Sequence, residues 1–298
     1  MRRVLMLAIP GLVAWACKES SPPSRPPVVV SGATSRDTVV LVGAGDIADC
    51  GSDGDEQTAS LLDSIPGTVF AAGDNAYRSG TDSEFARCYA PTWGRHKKRT
   101  RPAPGNHDYR TNAGAPYFAY YGSAAGESGR GYYSFNVGAW HIVSLNSNIS
   151  MRAGSPQEQW LREDLAANQT PCALAYWHHP RFSSGTEHGS DRRSALLWQA
   201  LYDYGVDVVL AGHEHNYERF APQTPSGAAD SVRGLRQFVV GTGGADHYPF
   251  GAAIANSEVR NGETWGVLKL TLEPESYRWR FIPVRGQTFA DSGLARCH

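Results

Sequence analysis

Five apolar, β-rich runs recur along this chain, and each stops at a loop of a particular kind. "TVVLVGAGD" ends at Asp46, "TVFAAGDNAY" at Asp74 and Tyr77, and "CALAYWHHP" at His178 and His179; "VDVVLAGHEH" ends at His213 and His215, and "RQFVVGTGG" in glycines. Apolar runs bounded by turn residues read as buried strands. Helical patterns lie between them. "DEQTASLLDSI" is one, and "SPQEQWLREDLAANQ" is a second, with Ser155 as its cap, Pro156 in its first turn and Trp160, Leu161 and Leu165 on one face. "SDRRSALLWQALYDYG" is a third, ending at Gly205. Alternation of strands and helices predicts an α/β protein. Tyr132 to Asn148 reads instead as a hairpin turning near "NVGAW", and "TWGVLKLTLEPESYRWRFIPV" as another turning near Pro274. These strand-rich blocks predict two packed mixed β-sheets flanked by helices, rather than one doubly wound sheet. No internal repeat is present, and no domain linker follows about residue 37.

Sheet proteins place ligand sites at the carboxyl ends of strands. The run ends, with "GNHD" between them, supply Asp46, Asp74, Tyr77, Asn106, His178, His213 and His215. In an extended segment alternate side chains face one way, so the H-x-H of "GHEH" should aim both imidazoles into one volume. Mixed oxygen and nitrogen ligands suit Zn²⁺, Fe or Mn²⁺ better than Ca²⁺. The seven groups exceed one tetrahedral site but suit two metal ions sharing a carboxylate, a pair able to clamp the attacking and leaving oxygens at phosphorus. Gly45, Gly73, Gly105 and Gly212 each precede a candidate ligand, where a sharp backbone turn would aim the next side chain inward.

The N-terminus reads as an export signal. "MRR" precedes the apolar "VLMLAIPGLVAWA", which is too short to span a bilayer, and Ala14-Trp15-Ala16 offers a cleavage site before Cys17. "VAWAC" resembles a bacterial lipobox with Ala14 and Trp15 departing from its usual pattern, and "KESSPPSRPP" suits a flexible tether. The expected organisation is a signal peptide at 1–16, a Pro/Ser-rich tether at 17–37 and a catalytic domain at 38–298. Cys17 would be lipidated, placing the protein in a bacterial cell envelope, with simple secretion or a periplasmic location as the alternative. Export implies oxidising conditions. Cys50, Cys88, Cys172 and Cys297 allow three pairings. Cys50–Cys88 with Cys172–Cys297 is expected, because it keeps each pair in its own half of the chain. The formal net charge of −1 gives no basic field for nucleic acid, and any membrane contact is expected only through the lipid.

"GDIA", "GDNAY", "GNHD", "WHHP" and "GHEH" stand in the order of the calcineurin-like metallophosphoesterases. More narrowly, the chain resembles the purple acid phosphatases, whose second motif G-D-x-x-Y is matched by Gly73-Asp74-Asn75-Ala76-Tyr77; "GHEHNYER" and "GTGG" at 241–244 extend the likeness. The resemblance covers about residues 38 to 285, and the extra N-terminal β-sandwich of plant-type enzymes is not expected before residue 38. It implies the four-layer sandwich of that superfamily. It also implies that Asp46, Asp74, Tyr77 and His215 hold a first metal, usually Fe(III). Asp74 bridges, and Asn106, His178 and His213 complete a second site for Fe, Zn or Mn. His107 is expected to touch the phosphate, and Glu187-His188 resembles an acidic-His pair near the leaving group. Ala48 replaces a usual glycine, and His179 stands where family members often have Tyr. Asp108 either orients His107 or is a solvated carboxylate.

The function so implied is an exported dinuclear-metal phosphatase acting on a small phosphomonoester. A metal-bound hydroxide attacks in line, and His107 or His188 donates to the leaving oxygen. A phosphodiesterase, nuclease or nucleotide hydrolase on the same scaffold is the first alternative, although the charge argues against polymeric nucleic acid. A non-catalytic surface lipoprotein is the second, but an inactivated scaffold should have lost ligand positions, and all seven stand. No P-loop is present.

Overall fold

The first apolar run becomes β1 (Val39–Ala44), which lies between parallel β2 (Thr68–Ala72) and antiparallel β11 (Gly266–Glu273). A computed structural model describes residues 38–298; the expected leader and tether, with Cys17, lie outside the described residues. The remaining strands are β3 (Thr100–Ala103), β4 (Tyr133–Val137), β5 (Trp140–Ser144), β6 (Cys172–Tyr176), β7 (Val208–Ala211), β8 (Tyr217–Phe220), β9 (Arg236–Val240), β10 (Ser257–Asn261), β12 (Ser276–Pro283) and β13 (Ser292–Arg296). They form two mixed sheets, of order β13-β12-β11-β1-β2-β3 and β10-β8-β9-β7-β6-β5-β4. Both expected hairpins are present, as β4–β5 and β11–β12.

Period-2 alternation explains why the runs are apolar throughout. Leu174, Val208 and Leu210 face the first sheet and share a buried cluster with Leu41, Phe70 and Leu270. Their neighbours Ala173, Val209 and Val239 face the other way, against Leu161, Leu197 and Trp198. Those last residues belong to the helices Pro156–Ala167 and Ala195–Asp203. Ser155 caps the former by accepting from the Glu158 amide at 3.3 Å, with Pro156 in its first turn. On the first sheet the helix Gly54–Ser64 adds Ala59 and Leu62 to the core, and the Trp93 indole donates to Thr58 at 2.9 Å. The layers therefore run helices, sheet, sheet, helices.

β3, β10 and β13 are short segments at sheet edges and carry no apolar run. Pro102 is tolerated in β3 because an edge strand can leave one side without ladder bonds. Among the described residues, no helix is long and apolar enough to cross a membrane.

The disulfides are Cys50–Cys88 and Cys172–Cys297, the pairing expected. The second joins the start of β6 in one sheet to the residue after β13 in the other. Loop-closure entropy makes the longer link the stronger one. Replacing Cys172 and Cys297 by Ser should cost about 5 kcal/mol, against about 4 kcal/mol for Cys50 and Cys88. Urea unfolding of both double variants checks this, and equal or negligible losses would contradict it.

Candidate metal centre

The site forms where parallel strands from both sheets end. β1 and β2 stop at Ala44 and Ala72, two residues before Asp46 and Asp74; β6 and β7 stop at Tyr176 and Ala211, two residues before His178 and His213. The loops interlock through their backbones. Asp46 N–H donates to Gly73 O at 3.0 Å, Ile47 to Asp74 O at 2.9 Å, and Tyr77 to Ala48 O at 2.8 Å. Ala48, buried in this zipper, bridges to Ala76, so the loop accepts alanine there. "GTGG" buttresses it from beyond β9: Gly243 N–H donates to Gly45 O at 2.9 Å, and Ala245 N–H to Asp46 O at 3.0 Å.

Seven side chains converge as two clusters that meet at one atom. Tyr77 Oη lies 2.8 Å from Asp46 Oδ1, 3.0 Å from His215 Nε2 and 3.1 Å from Asp74 Oδ2. His178 Nε2 lies 3.0 Å from Asn106 Oδ1, 3.2 Å from His213 Nδ1 and 3.2 Å from the same Asp74 Oδ2. Two of the imidazoles are oriented by carbonyls, Ala72 O at 2.9 Å from His178 Nδ1 and Asp246 O at 2.5 Å from His215 Nδ1. Both therefore turn Nε2 inward, as metal-binding histidines do. The inward atoms are all potential ligands, and those of Asp74, His178 and His213 lie within 4.8 Å of one another. This donor set fits two cations.

The electrostatics agree. Burial disfavours charge at Asp74 and at His178, but their attraction wins: Asp74 is held well below the usual carboxylate range, and His178 is pushed up to about 9, with help from Asp46. Burial and the carboxylates of Asp46 and Asp74 push the Tyr77 phenol up. Charge of either sign is thus held by its partners inside a water-poor site.

Three expectations need correction. His213 and His215 do not alternate along a strand: β7 has already ended, and His213 takes a left-handed backbone with φ 72°. Its ring joins the His178 cluster, while His215 joins Tyr77. The glycines mostly serve approach rather than a left-handed turn. Only Gly73 of the four has a positive φ; Asp46 and Asp74 themselves take φ 59° and 50°. A Cβ on Gly105 would meet Asp74 Oδ1 at 2.0 Å, and one on Gly212 would meet Asp46 Oδ2 at 2.5 Å. Asp108, finally, is neither solvated nor bound to His107. It is fully buried and accepts from the Gly105 amide at 2.8 Å and from Asn75 Nδ2 at 2.9 Å.

His107 and His188 sit at the rim. His107 Nδ1 lies 2.7 Å from the Arg78 carbonyl, with Nε2 3.9 Å from Asp74 Oδ2. His188 is exposed and stacks on His213 at 3.9 Å and 18°. His179 is buried behind them, with Nδ1 2.6 Å from the Ser147 hydroxyl; burial and His178 push it down to about 3. Tyr248, which carries no motif signal, stacks on His215 at 3.8 Å and 10°. It also lines a cavity of about 540 Å³ with Phe250 and Arg260. Burial and Asp46 push its phenol up to about 12.

The close approach at Gly105 is testable. Gly105→Ala should abolish binding of both metals while far-UV circular dichroism stays native, whereas Gly51→Ala, whose Cβ would meet only Asp49 Oδ1 at 3.5 Å, should bind normally. Metal analysis of both proteins decides, and full occupancy in Gly105→Ala would contradict the geometry.

The sequence matches the calcineurin-like phosphoesterase family over residues 33–217. It is 32% identical to purple acid phosphatase 15 of Arabidopsis thaliana over 195 residues, 53% of this chain and 37% of that protein. It therefore spans well under half the length of that relative. Among solved structures, purple acid phosphatase PPD1 from yellow lupin (Lupinus luteus) seeds superposes with a TM-score of 0.71 at 19% identity, covering 87% of this chain and 54% of that one. GAP50, the anchor in the inner membrane complex of Plasmodium, gives 0.68 at 14% identity, covering 88% and 89%. At these identities the superpositions speak to the fold. The family match and the motif residues it spans carry the rest: the chain belongs to the calcineurin-like phosphoesterase family and, within it, is similar to the purple acid phosphatases.

Proposed function

We propose that this chain is an exported dinuclear-metal phosphatase that hydrolyses phosphomonoesters. The observation that carries the reading is Asp74 Oδ2, within 3.1 Å of Tyr77 Oη and 3.2 Å of His178 Nε2, where one carboxylate oxygen serves two donor clusters. Asp46, Asp74, Tyr77 and His215 hold the first ion. A phenol and two carboxylates favour Fe(III) there. Asn106, His178 and His213, with Asp74, hold Fe, Zn or Mn. Two cations bound there would polarise phosphoryl oxygens and bring the pKa of a water near neutrality.

The chain's own residues do the rest. Asp74 Oδ1 accepts from the His107 amide at 2.7 Å, which ties the bridging carboxylate to the segment carrying His107. The Arg78 carbonyl keeps a proton on His107 Nδ1 and leaves Nε2 on the side of Asp74, where it would be free to touch a bound phosphate. His188, on the open rim, gives a proton to the leaving oxygen. Two disulfides in the described residues support export. Residues 1–16 serve as a signal peptide, Cys17 carries a lipid, 17–37 form a tether and 38–298 the catalytic domain.

The test loads the protein with iron and records its visible spectrum and its turnover of phosphomonoesters and diesters. Phenolate bound to Fe(III) absorbs visible light, so wild type should be coloured. Tyr77→Phe, which removes one oxygen and keeps the ring, should lose the band and keep the fold. An iron-loaded wild type without a band, or a band unchanged by Tyr77→Phe, would overturn the Tyr77 assignment. A higher kcat/KM for diesters would overturn the monoester reading.

A further inference from the structure

Glu214 stands between the two histidines of "GHEH", yet its side chain leaves the metal centre. It is fully buried, and Oε1 accepts from the amides of His188 at 2.7 Å and Gly189 at 2.5 Å. Oε2 has no hydrogen-bond partner. The backbone at Gly185 lies so close that a Cβ there would meet the carboxylate at 2.3 Å. Burying a carboxylate costs several kcal/mol, and an apolar side chain could pack there without that cost. What the charge supplies is two strong bonds to consecutive amides.

The rest of the loop is held in the same way. Glu218, also fully buried, accepts from the Ser184 amide at 2.8 Å, from the Ser184 hydroxyl at 2.5 Å and from the Ser257 hydroxyl at 2.6 Å. Thr186 N–H donates to Pro249 O at 3.2 Å, joining the loop to the segment of Tyr248. Between these anchors the exposed His188 side chain lies flat on His213 and edge-on to Tyr248 at 5.7 Å. The backbone on the Glu214 side is equally fixed, Glu214 N–H donating to Gly212 O at 2.9 Å and Asn216 N–H to Glu214 O at 2.7 Å.

We infer that Glu214 is a positioning residue: it grips the backbone of His188 and Gly189 and so holds the His188 imidazole against His213 at the mouth of the site. One peptide segment thus supplies two ligand candidates, His213 and His215, and, with the residue between them, the orientation of a third imidazole. The inference rests on the reading of His188 as the leaving-group donor, but the tether can be observed without turnover.

The test is amide hydrogen exchange on the metal-loaded protein, joined to kinetics on an alkyl phosphate and on 4-nitrophenyl phosphate. In Glu214→Ala the His188 and Gly189 amides should exchange about 10- to 100-fold faster, the loss of a hydrogen bond to a charged group. Alkyl phosphate turnover should fall about 100-fold, as in His188→Ala, because an alkoxide needs the proton; nitrophenolate does not, and its release should fall only about threefold. Adding His188→Ala to Glu214→Ala should cost nothing more. Glu214→Gln keeps an acceptor without the charge and should recover part of the protection and of the turnover. If Glu214→Ala does not fold, Gly185→Ala disturbs the same contact from the loop side and should speed the same amides. Unchanged exchange at His188 and Gly189, or equal losses on both substrates, would overturn the inference. A fully active His188→Ala would instead remove the leaving-group role and leave the tether standing on the exchange data.

Discussion

The carboxylate of Asp74 is the interaction on which the rest of this structure depends. It is buried, and each of its oxygens has work in a different direction. Oδ1 takes the His107 amide, and Oδ2 faces both Tyr77 and His178. An unpaired carboxylate in that position would be prohibitively costly. The fold surrounds it with donors instead, and β2 has to end where it does for the carboxylate to reach them. The glycines at 105 and 212 follow from the same crowding, since any side chain would occupy the space of Asp74 or Asp46.

Two sheets are needed for this arrangement. One sheet could line up carboxylates along its strand ends, as β1 and β2 do, but the histidines of β6 and β7 come from the opposing sheet. The packed core between the sheets sets the distance across which these groups meet. The surrounding supports are backbone atoms: the Ala72 and Asp246 carbonyls behind His178 and His215, and the zipper between the loops after β1 and β2. Backbone supports of this kind depend little on which side chains stand outside the motifs.

Much of this was legible in the sequence, for identifiable reasons. The central strands are buried on both faces and so appear as unbroken apolar runs, and β11 and β12 alternate between buried and more exposed residues. The edge strands β10 and β13 were not legible, because their partial exposure leaves no apolar run, and β3 was not because it is four residues long and holds Arg101 and Pro102. The candidate ligands could be named because residue types that bind metals followed strand ends. How they point could not: His213 is aimed by a left-handed backbone, and Asp108 by bonds to Gly105 and Asn75 that span a loop. Tyr248 and Glu214 left no signal, since their roles are contacts with residues distant in sequence or with main-chain amides.

In the proposed centre one oxygen of Asp74 is shared between two metal ions. A crystal of the protein loaded with manganese or zinc, with diffraction recorded at the metal's absorption edge, tests it most directly. Two anomalous peaks about 3.5–4 Å apart, flanking Asp74 Oδ2, are expected. One should be bounded by Asp46, Tyr77 and His215, and the other by Asn106, His178 and His213. A single peak at full occupancy, or two peaks that do not share Asp74, would contradict it.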